Sequence, residues 1–282
     1  EVPHAFKLPL DPMKAVVPLA ELARTGLFLV GNNNVPASNL KELIAHVKAN
    51  PGKISYASYT AGTVSHTLGL TLNERAGLDM THVGYRGSAP GLNDVMGGHV
   101  AYMFDAPATV LPLYKAGKSK VFATTSPERN PAAPEVPTFA EVSGQAGLEA
   151  VVWYGVLGPR GMPPAVVSRL SAEIGKAVAN PQLIALIETI GAEPDFQPTE
   201  VFALGNALID PALGGHAPAA AQHLLDADAH RVHRRRAQVD VDLALGAAHH
   251  GDRSDAAHIL QALFEGLVSP VGQLDVRHRR GC

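Results

Sequence analysis

Short apolar runs alternate with amphipathic segments from residue 27 to about residue 200, and this alternation predicts successive strands and helices. An apolar run at Leu27–Val30 is followed by a segment in which Leu40, Leu43, Ile44 and Val47 recur at helical spacing. Further strands are predicted at 54–58, 81–85, 100–104, 120–125 and 151–157, and further helices at 64–75, 89–96, 107–115, 163–178 and 181–190. Regular alternation of this kind predicts an α/β sheet with crossover helices.

Two of the strand-to-helix connections are short polar loops that contain glycine. They lie within the stretches Tyr56–His66 and Thr81–Pro90. Loops of this kind aim backbone N–H groups and Ser or Thr hydroxyls at a point beyond a helix N-terminus, where the helix dipole favours negative charge. The pair therefore predicts a binding site for a small carboxylate rather than a catalytic centre.

The composition narrows the class of protein. The chain has 282 residues and a formal net charge of −3, which gives no argument for nucleic acid or an anionic membrane as its main partner. The single cysteine, Cys282, excludes an internal disulfide framework and a Cys-based metal cage. No apolar run reaches the roughly 20 residues that span a bilayer. The stretch after Glu1 shows neither an initiator Met nor a signal-peptide pattern, so we expect the chain to start inside a longer sequence.

Residues 204–282 differ in kind from the rest of the chain. They contain most of its His and Arg residues, no Lys and a single Glu, Glu265. An unselected reading frame of GC-rich DNA would produce this bias, so we expect a frameshifted or otherwise non-native tail, the alternative being a genuine but unusual domain. Four residues of the tail share one face of any helix formed there: His223, Asp226, His230 and His233. Chance explains this spacing in so His-rich a segment, and we predict no metal site.

Several motifs in fixed order resemble one protein family. They are Gly62-Thr-Val-Ser-His66, Thr81-His-Val-Gly-Tyr-Arg-Gly-Ser-Ala-Pro90, Gly97-Gly-His-Val-Ala-Tyr-Met-Phe-Asp105 and Trp153-Tyr-Gly-Val-Leu-Gly-Pro-Arg-Gly161. Over about residues 5–203 the chain resembles the Bug/TctC family, the extracytoplasmic solute-binding receptors of tripartite tricarboxylate transporters. The resemblance implies a periplasmic, non-enzymatic receptor that binds a small organic carboxylate and passes it to membrane transporter subunits. We expect a monomer with no cofactor, no metal and no nucleic-acid partner.

The family's fold is a periplasmic binding protein-like (type II) α/β fold whose two lobes close on the ligand by a hinge. The resemblance implies that residues 27–149 form one nearly complete lobe, while residues 1–26 and 150–203 belong to the other, partial lobe. Trp153 and Tyr154 then lie on a strand between the lobes, in a core or hinge position. Family members begin with a strand and a Pro…Gly-Gly loop that is not found after Glu1, so we expect half of the cleft to be absent.

The first loop supplies three candidate ligand-binding residues. By the resemblance, Thr63, Ser65 and His66 grip a carboxylate, because hydroxyl and amide donors form short, charge-assisted bonds to an ionised acceptor. From the residues alone, Thr63 or Ser65 can equally be an ordinary helix cap, and His66 can be a packed helix histidine. Both interpretations stay open at this stage.

The second loop and the strand after it supply five more candidates: Tyr85, Gly87, Ser88, Ala89 and Asp105. Gly87 lets backbone approach a ligand closely, while Ser88 alternatively caps the helix that follows. Asp105 lies at the carboxyl end of a strand, where it either accepts a bond from a ligand or caps the helix at Pro107. Arg86 is interpreted as a solvated strand-end residue rather than a carboxylate clamp.

Two alternatives to a receptor are considered. An α/β enzyme acting on a carboxylate or ester would need a triad such as Ser65, His66 and Asp105. Adjacent residues of a helix point about 100° apart, and the sequence has no G-x-S-x-G elbow, so no catalytic residues are predicted. The second alternative is a non-functional, truncated gene product, for which we expect weak carboxylate binding or none.

Overall fold

A computed structural model gives the fold of residues 15–143 and 148–208, with the backbone alone for residues 143 and 204–208. The expected non-native tail, 204–282, begins within the described backbone, and its part beyond residue 208 lies outside the described residues, as do residues 1–14. The strands are β1 (Val16–Gly26), β2 (Phe28–Asn32), β3 (Ile54–Ser58), β4 (Met80–Gly84), β5 (Tyr102–Asp105), β6 (Ser119–Thr124), β7 (Val151–Pro159) and β8 (Glu193–Pro198). The helices are α1 (Leu40–Lys48), α2 (Val64–Ala76), α3 (Ser88–Gly97), α4 (Pro107–Lys115), α5 (Phe139–Ser143), α6 (Pro164–Val178), α7 (Pro181–Thr189) and α8 (Thr199–Leu208).

The described strands form two sheets. The larger sheet has the order β4-β3-β5-β2-β6, in which β3 runs parallel to both β4 and β5 while β2 is antiparallel to β5 and β6. The smaller sheet has the order β7-β1-β8, with both neighbours antiparallel to β1. The predicted α/β organisation with crossover helices is therefore present in the larger sheet.

Apolar side chains cover both faces of the larger sheet. Alternate residues of its strands point to opposite faces, so Leu29 and Phe104 pack in one core cluster while Phe28 and Met103 pack in another. The smaller sheet has a smaller core, in which Leu22 of β1 packs with residues of α6 and α7. Packing on the two faces of the larger sheet thus holds in place the helices that follow its strands.

The chain passes between the sheets at two closely bonded places. Leu27 alone separates β1 from β2, and its N–H donates to Thr125 Oγ1 at 2.8 Å. The same hydroxyl donates to the carbonyl of Ala150, just before β7, at 2.7 Å. Residues 26/27 and 149/150 are where the sequence analysis divides the chain into lobes, and that division stays a prediction.

Candidate functional site

Three parallel strands end at one edge of the larger sheet, and each leads directly into a helix. The last residues of β3, β4 and β5 are Ser58, Gly84 and Asp105. The strands are parallel neighbours, so these three ends lie side by side. The N-termini of α2, α3 and α4 therefore point towards the same edge, where their dipoles favour an anion. This edge brings together the two loops that the sequence singles out.

Asp105 joins the three strand-to-helix connections. Its Oδ1 accepts a hydrogen bond from the hydroxyl of Tyr59 at 2.7 Å, and its Oδ2 accepts one from Ser88 Oγ at 2.6 Å. The N–H of Ala106 also donates to Oδ1, at 2.7 Å. The side chain is fully buried. Burial raises the pKa of Asp105 above its usual value, and the bonds from Ser88 and Tyr59 oppose this rise. Asp105 thus organises the edge, while its proposed contact with a ligand stays a prediction.

The loop before α2 uses its hydroxyl groups internally. Thr63 is the residue before the first helical residue, but its hydroxyl donates to the carbonyl of Thr60 at 2.8 Å and makes no cap bond. Ser65 is fully buried, and its hydroxyl donates to the carbonyl of Phe104 at 2.6 Å, which ties α2 to β5. Neither hydroxyl is a side-chain cap. The first N–H groups of a helix have no intrahelical partner, and the accessible one at the start of α2 is that of Val64, because Ser65 is fully buried.

His66 shapes the same loop from inside the helix. Its Nδ1 accepts a hydrogen bond from the N–H of Gly62 at 3.1 Å. Its ring stacks on that of His82, with 4.0 Å between the ring centroids. His82 Nε2 lies 2.7 Å from Ser58 Oγ. Burial, helped by His66, lowers the pKa of His82. The two rings therefore form a pair beneath the loop.

The loop before α3 presents open backbone. Gly87 has φ +108°, a conformation that favours glycine, and a Cβ added there would meet no atom within 4 Å. Its N–H donates to the carbonyl of Tyr59 at 2.8 Å, which holds the two loops together. Ser88 is not a side-chain cap, because its hydroxyl bonds to Asp105. The N–H groups of Ser88 and Ala89 begin this helix, whereas Pro90 has no N–H to offer.

Tyr85 turns away from the loops. Its hydroxyl donates to Asp94 Oδ2 on α3 at 2.6 Å, and burial with this neighbouring carboxylate raises the pKa of Tyr85 to about 12. The phenol therefore stays neutral and bonded to α3. The alternative in which Asp105 caps α4 is also corrected, because the cap position belongs to Ala106.

Two tyrosines that the sequence analysis did not assign to the site lie close to Asp105. Burial and Asp105 raise the pKa of Tyr59 well above its usual value, so this phenol keeps its proton and serves as a donor. Burial and then the charge of Asp105 also raise the pKa of Tyr154, a residue of β7. Trp153 faces elsewhere and meets the ring of Phe202 edge-on, with 4.8 Å between centroids. An aromatic residue directly after a strand end was the available signal for Tyr59.

Within residues 15–143 and 148–208, no group of three or more His, Cys, Asp or Glu side chains is arranged to hold a metal ion. No helix in these same ranges has the length and apolar character that crossing a membrane requires.

Comparisons with known proteins agree on one family. The profile of a family described as "Tripartite tricarboxylate transporter family receptor" matches residues 1–202. A UPF0065 protein from the tcbD-tcbE intergenic region of Pseudomonas sp. is 34% identical over 197 residues, which make up 70% of this chain and 59% of that protein. The chain thus spans about three fifths of the length of this curated relative.

Two solved structures from Rhodopseudomonas palustris are similar in fold. The MatC protein with bound malate is 30% identical, with a TM-score of 0.61 over 67% of this chain and 64% of that one. A protein solved with adipate is 26% identical, with a TM-score of 0.63 over 80% of this chain and 69% of that one. These likenesses confirm the expected α/β fold of the periplasmic binding protein type.

Proposed function

Because the chain belongs to the tripartite tricarboxylate transporter family of receptors, we propose that it is a solute receptor for a small organic carboxylate. One observation supports this most directly. The strands β3, β4 and β5 end side by side, so the helices α2 and α3 begin at one shared edge. Backbone N–H groups at two converging helix N-termini suit an ionised carboxylate.

In the proposed complex, one carboxylate group lies between the first turns of α2 and α3. It accepts hydrogen bonds from the N–H group of Val64 on one side and from those of Ser88 and Ala89 on the other. The hydroxyls of Thr63 and Ser65 hold the loop instead of the ligand, as their internal bonds indicate. Asp105 acts through Tyr59 and Ser88, whose positions it fixes.

The ligand class is proposed to be a dicarboxylate. Malate and adipate are bound by the two solved relatives, and both carry two carboxylate groups on a short carbon chain. The second carboxylate would extend from the shared edge towards β7, where Tyr154 offers a neutral phenol. We further propose that the protein works as a monomer in the periplasm and transfers its ligand to membrane transporter subunits, as the family's description implies.

Titration calorimetry tests this function. The 282-residue chain and, in parallel, the MatC protein are titrated with malate, adipate, citrate, acetate and an amino acid. We expect both proteins to bind a di- or tricarboxylate and to reject acetate, with weaker binding by this chain because it spans less of the fold. Binding by MatC but by none of the ligands here would contradict the proposal for this chain.

A further inference from the structure

Two histidines hold the loop that leads into α2. The N–H of Gly62 donates to His66 Nδ1 at 3.1 Å, so this ring nitrogen must carry no proton. On the other side of the loop, Ser58 Oγ donates to the carbonyl of Thr60 at 3.0 Å and lies 2.7 Å from His82 Nε2. Because the single hydroxyl proton of Ser58 goes to Thr60, His82 donates its Nε2–H to Ser58. The Gly62 bond therefore requires a neutral His66, whereas the bond from His82 to Ser58 is made by either charge state of His82.

The two rings are too close to carry two charges easily. Their centroids lie 4.0 Å apart, with 34° between the ring planes. Burial and then the neighbouring His66 lower the pKa of His82. A proton on His66 Nδ1 is incompatible with the Gly62 bond, because that nitrogen is the acceptor of the bond.

Among the described residues, the groups shown to contact the pair carry no negative charge. From β3, the ring of Tyr56 packs on His82 with 5.2 Å between centroids, and its hydroxyl lies 3.4 Å from the carbonyl of His66. Burial raises the pKa of Tyr56 to about 12, so the phenol is neutral whenever histidine titrates. His82 itself lies on β4, and the N–H of Gly62 contacts His66 from the loop.

We propose that His66 and His82 are positioning residues of the carboxylate site, and that proton uptake by this pair releases the loop and weakens ligand binding. A proton on His66 Nδ1 turns this nitrogen from an acceptor into a donor. It then repels the N–H of Gly62, which points at it. The loop must then move, and with it the N–H group of Val64 that begins α2. The ligand part of this inference rests on the proposed function, whereas the loop part does not.

A positive charge beside the site has an opposite effect, because an imidazolium attracts an anion. The two effects predict opposite signs for the pH dependence of binding. Loss of the Gly62 bond weakens binding as the pH falls, while direct attraction strengthens it. We expect the first effect to be the larger, so that binding weakens as the pH falls.

Two substitutions of His66 separate the hydrogen bond from the charge. His66→Asn places an amide oxygen close to the position of Nδ1, so it accepts the Gly62 N–H and does not titrate. His66→Leu removes both the acceptor and the charge. His82→Gln keeps an N–H donor at the position of Nε2 for Ser58, and it is the matched control at the second ring.

The first measurement is hydrogen exchange at the Gly62 amide of the ligand-free 282-residue chain, followed by NMR from about pH 8 to about pH 5.5 and corrected for intrinsic exchange. We expect its protection to fall by up to about tenfold for each pH unit below the titration midpoint. His66→Asn should show constant protection across this range, and His66→Leu should show low protection throughout. Unchanged protection in the parent chain would overturn the inference.

The second measurement is malate affinity across the same pH range. We expect the affinity of the parent chain to fall with the pH by more than that of His66→Asn. Malate itself titrates in the same way with both proteins, so the ratio of the two affinities removes its contribution. Affinity that rises or stays level relative to His66→Asn would overturn the link between the loop and binding. If Gly62 exchange follows the prediction but neither chain binds malate, adipate or citrate, the proposed function fails while the proton-sensitive loop stands.

Discussion

The two sheets of this protein differ in how completely they are covered. Both faces of the larger sheet lie under helices, and β2 is buried along its whole length. In the smaller sheet, β7 leaves alternate apolar side chains in solvent, with Trp153 38% and Leu157 44% exposed. The candidate site lies on the larger sheet. The loops of the candidate site are thus anchored on the better-covered of the two sheets.

The largest expected effect comes from a substitution that creates a cavity in the core of the larger sheet. Phe104 is 1% exposed and stacks on Phe139 with 5.9 Å between ring centroids. We expect Phe104→Ala to lower the free energy of unfolding by about 3–5 kcal/mol in urea titrations followed by far-UV circular dichroism. Leu157→Ala on the exposed side of β7 is the control, with an expected loss below about 1 kcal/mol. Similar losses for both would show that the two sheets are equally well packed.

The next effect tests the role of Asp105 as organiser. Asp105→Ala leaves the hydroxyls of Tyr59 and Ser88 without their acceptor, and we expect a loss of about 2–3 kcal/mol in the same urea titrations. Asp105→Asn keeps an acceptor and is expected to lose less. Equal losses for Ala and Asn would argue against hydrogen bonding as the source of the effect.

Asp105 also predicts a pH dependence of stability. Its pKa is raised by burial, so the folded state binds the proton more tightly than the unfolded state does. This contribution is fully present below the unfolded pKa, and it is lost as the pH rises through the raised folded value. Asp105→Asn has no titratable carboxyl group at this position, so its stability lacks this pH dependence. We therefore expect the free energy of unfolding of the parent chain, relative to that of Asp105→Asn, to be higher at acid pH than at neutral pH. A constant difference would contradict the raised pKa.

The elements of the larger sheet could be predicted from the sequence, whereas two strands of the smaller sheet could not. The strands and helices that build the larger sheet follow clear periodicities, and each predicted element from 27 to 190 appears within a few residues of its expected bounds. Two strands of the smaller sheet were missed. β1 is buried at most of its positions and contains two register shifts, so it shows no two-residue alternation. β8 contains Pro194 and Pro198, which read as a loop although an edge strand tolerates them.

The site was predicted at the level of loops but not of side chains. Glycine and hydroxyl residues between a strand and a helix are visible in the sequence, and they mark both loops correctly as helix starts. The direction of a hydroxyl is not visible there. Ser65 bonds to the carbonyl of Phe104, a residue 39 positions away, and this partner exists only once α2 packs on β5. Tyr59 was missed for the same reason, because its partner Asp105 is 46 positions away.

Two glycines provide a smaller, matched test of which region binds ligand. Gly87 begins α3 at the candidate site, whereas Gly161 follows β7, and their φ angles are +108° and +88°. A Cβ would meet no atom within 4 Å at either position, so replacement by Ala costs backbone strain of about 1–3 kcal/mol in both cases. We expect Gly87→Ala to weaken malate binding by about tenfold, through a shift of about 1.4 kcal/mol, and Gly161→Ala to leave it unchanged. The measurement is calorimetric titration of each variant.

The smallest expected effect is a separation between two unfolding curves of the parent chain. Trp153 is the single tryptophan, and it lies on β7 against Phe202, so its fluorescence reports on the smaller sheet. Far-UV circular dichroism reports on the helices of both sheets, and so includes the larger sheet that Trp153 does not sense. Because the smaller sheet has fewer buried apolar residues to lose on unfolding, we expect the fluorescence midpoint in urea to precede the circular dichroism midpoint. Superimposable curves would mean that both sheets unfold as one cooperative unit. In that case the bonds of Thr125 between Leu27 and Ala150 would couple them strongly, and the contrast in coverage would have no consequence for stability.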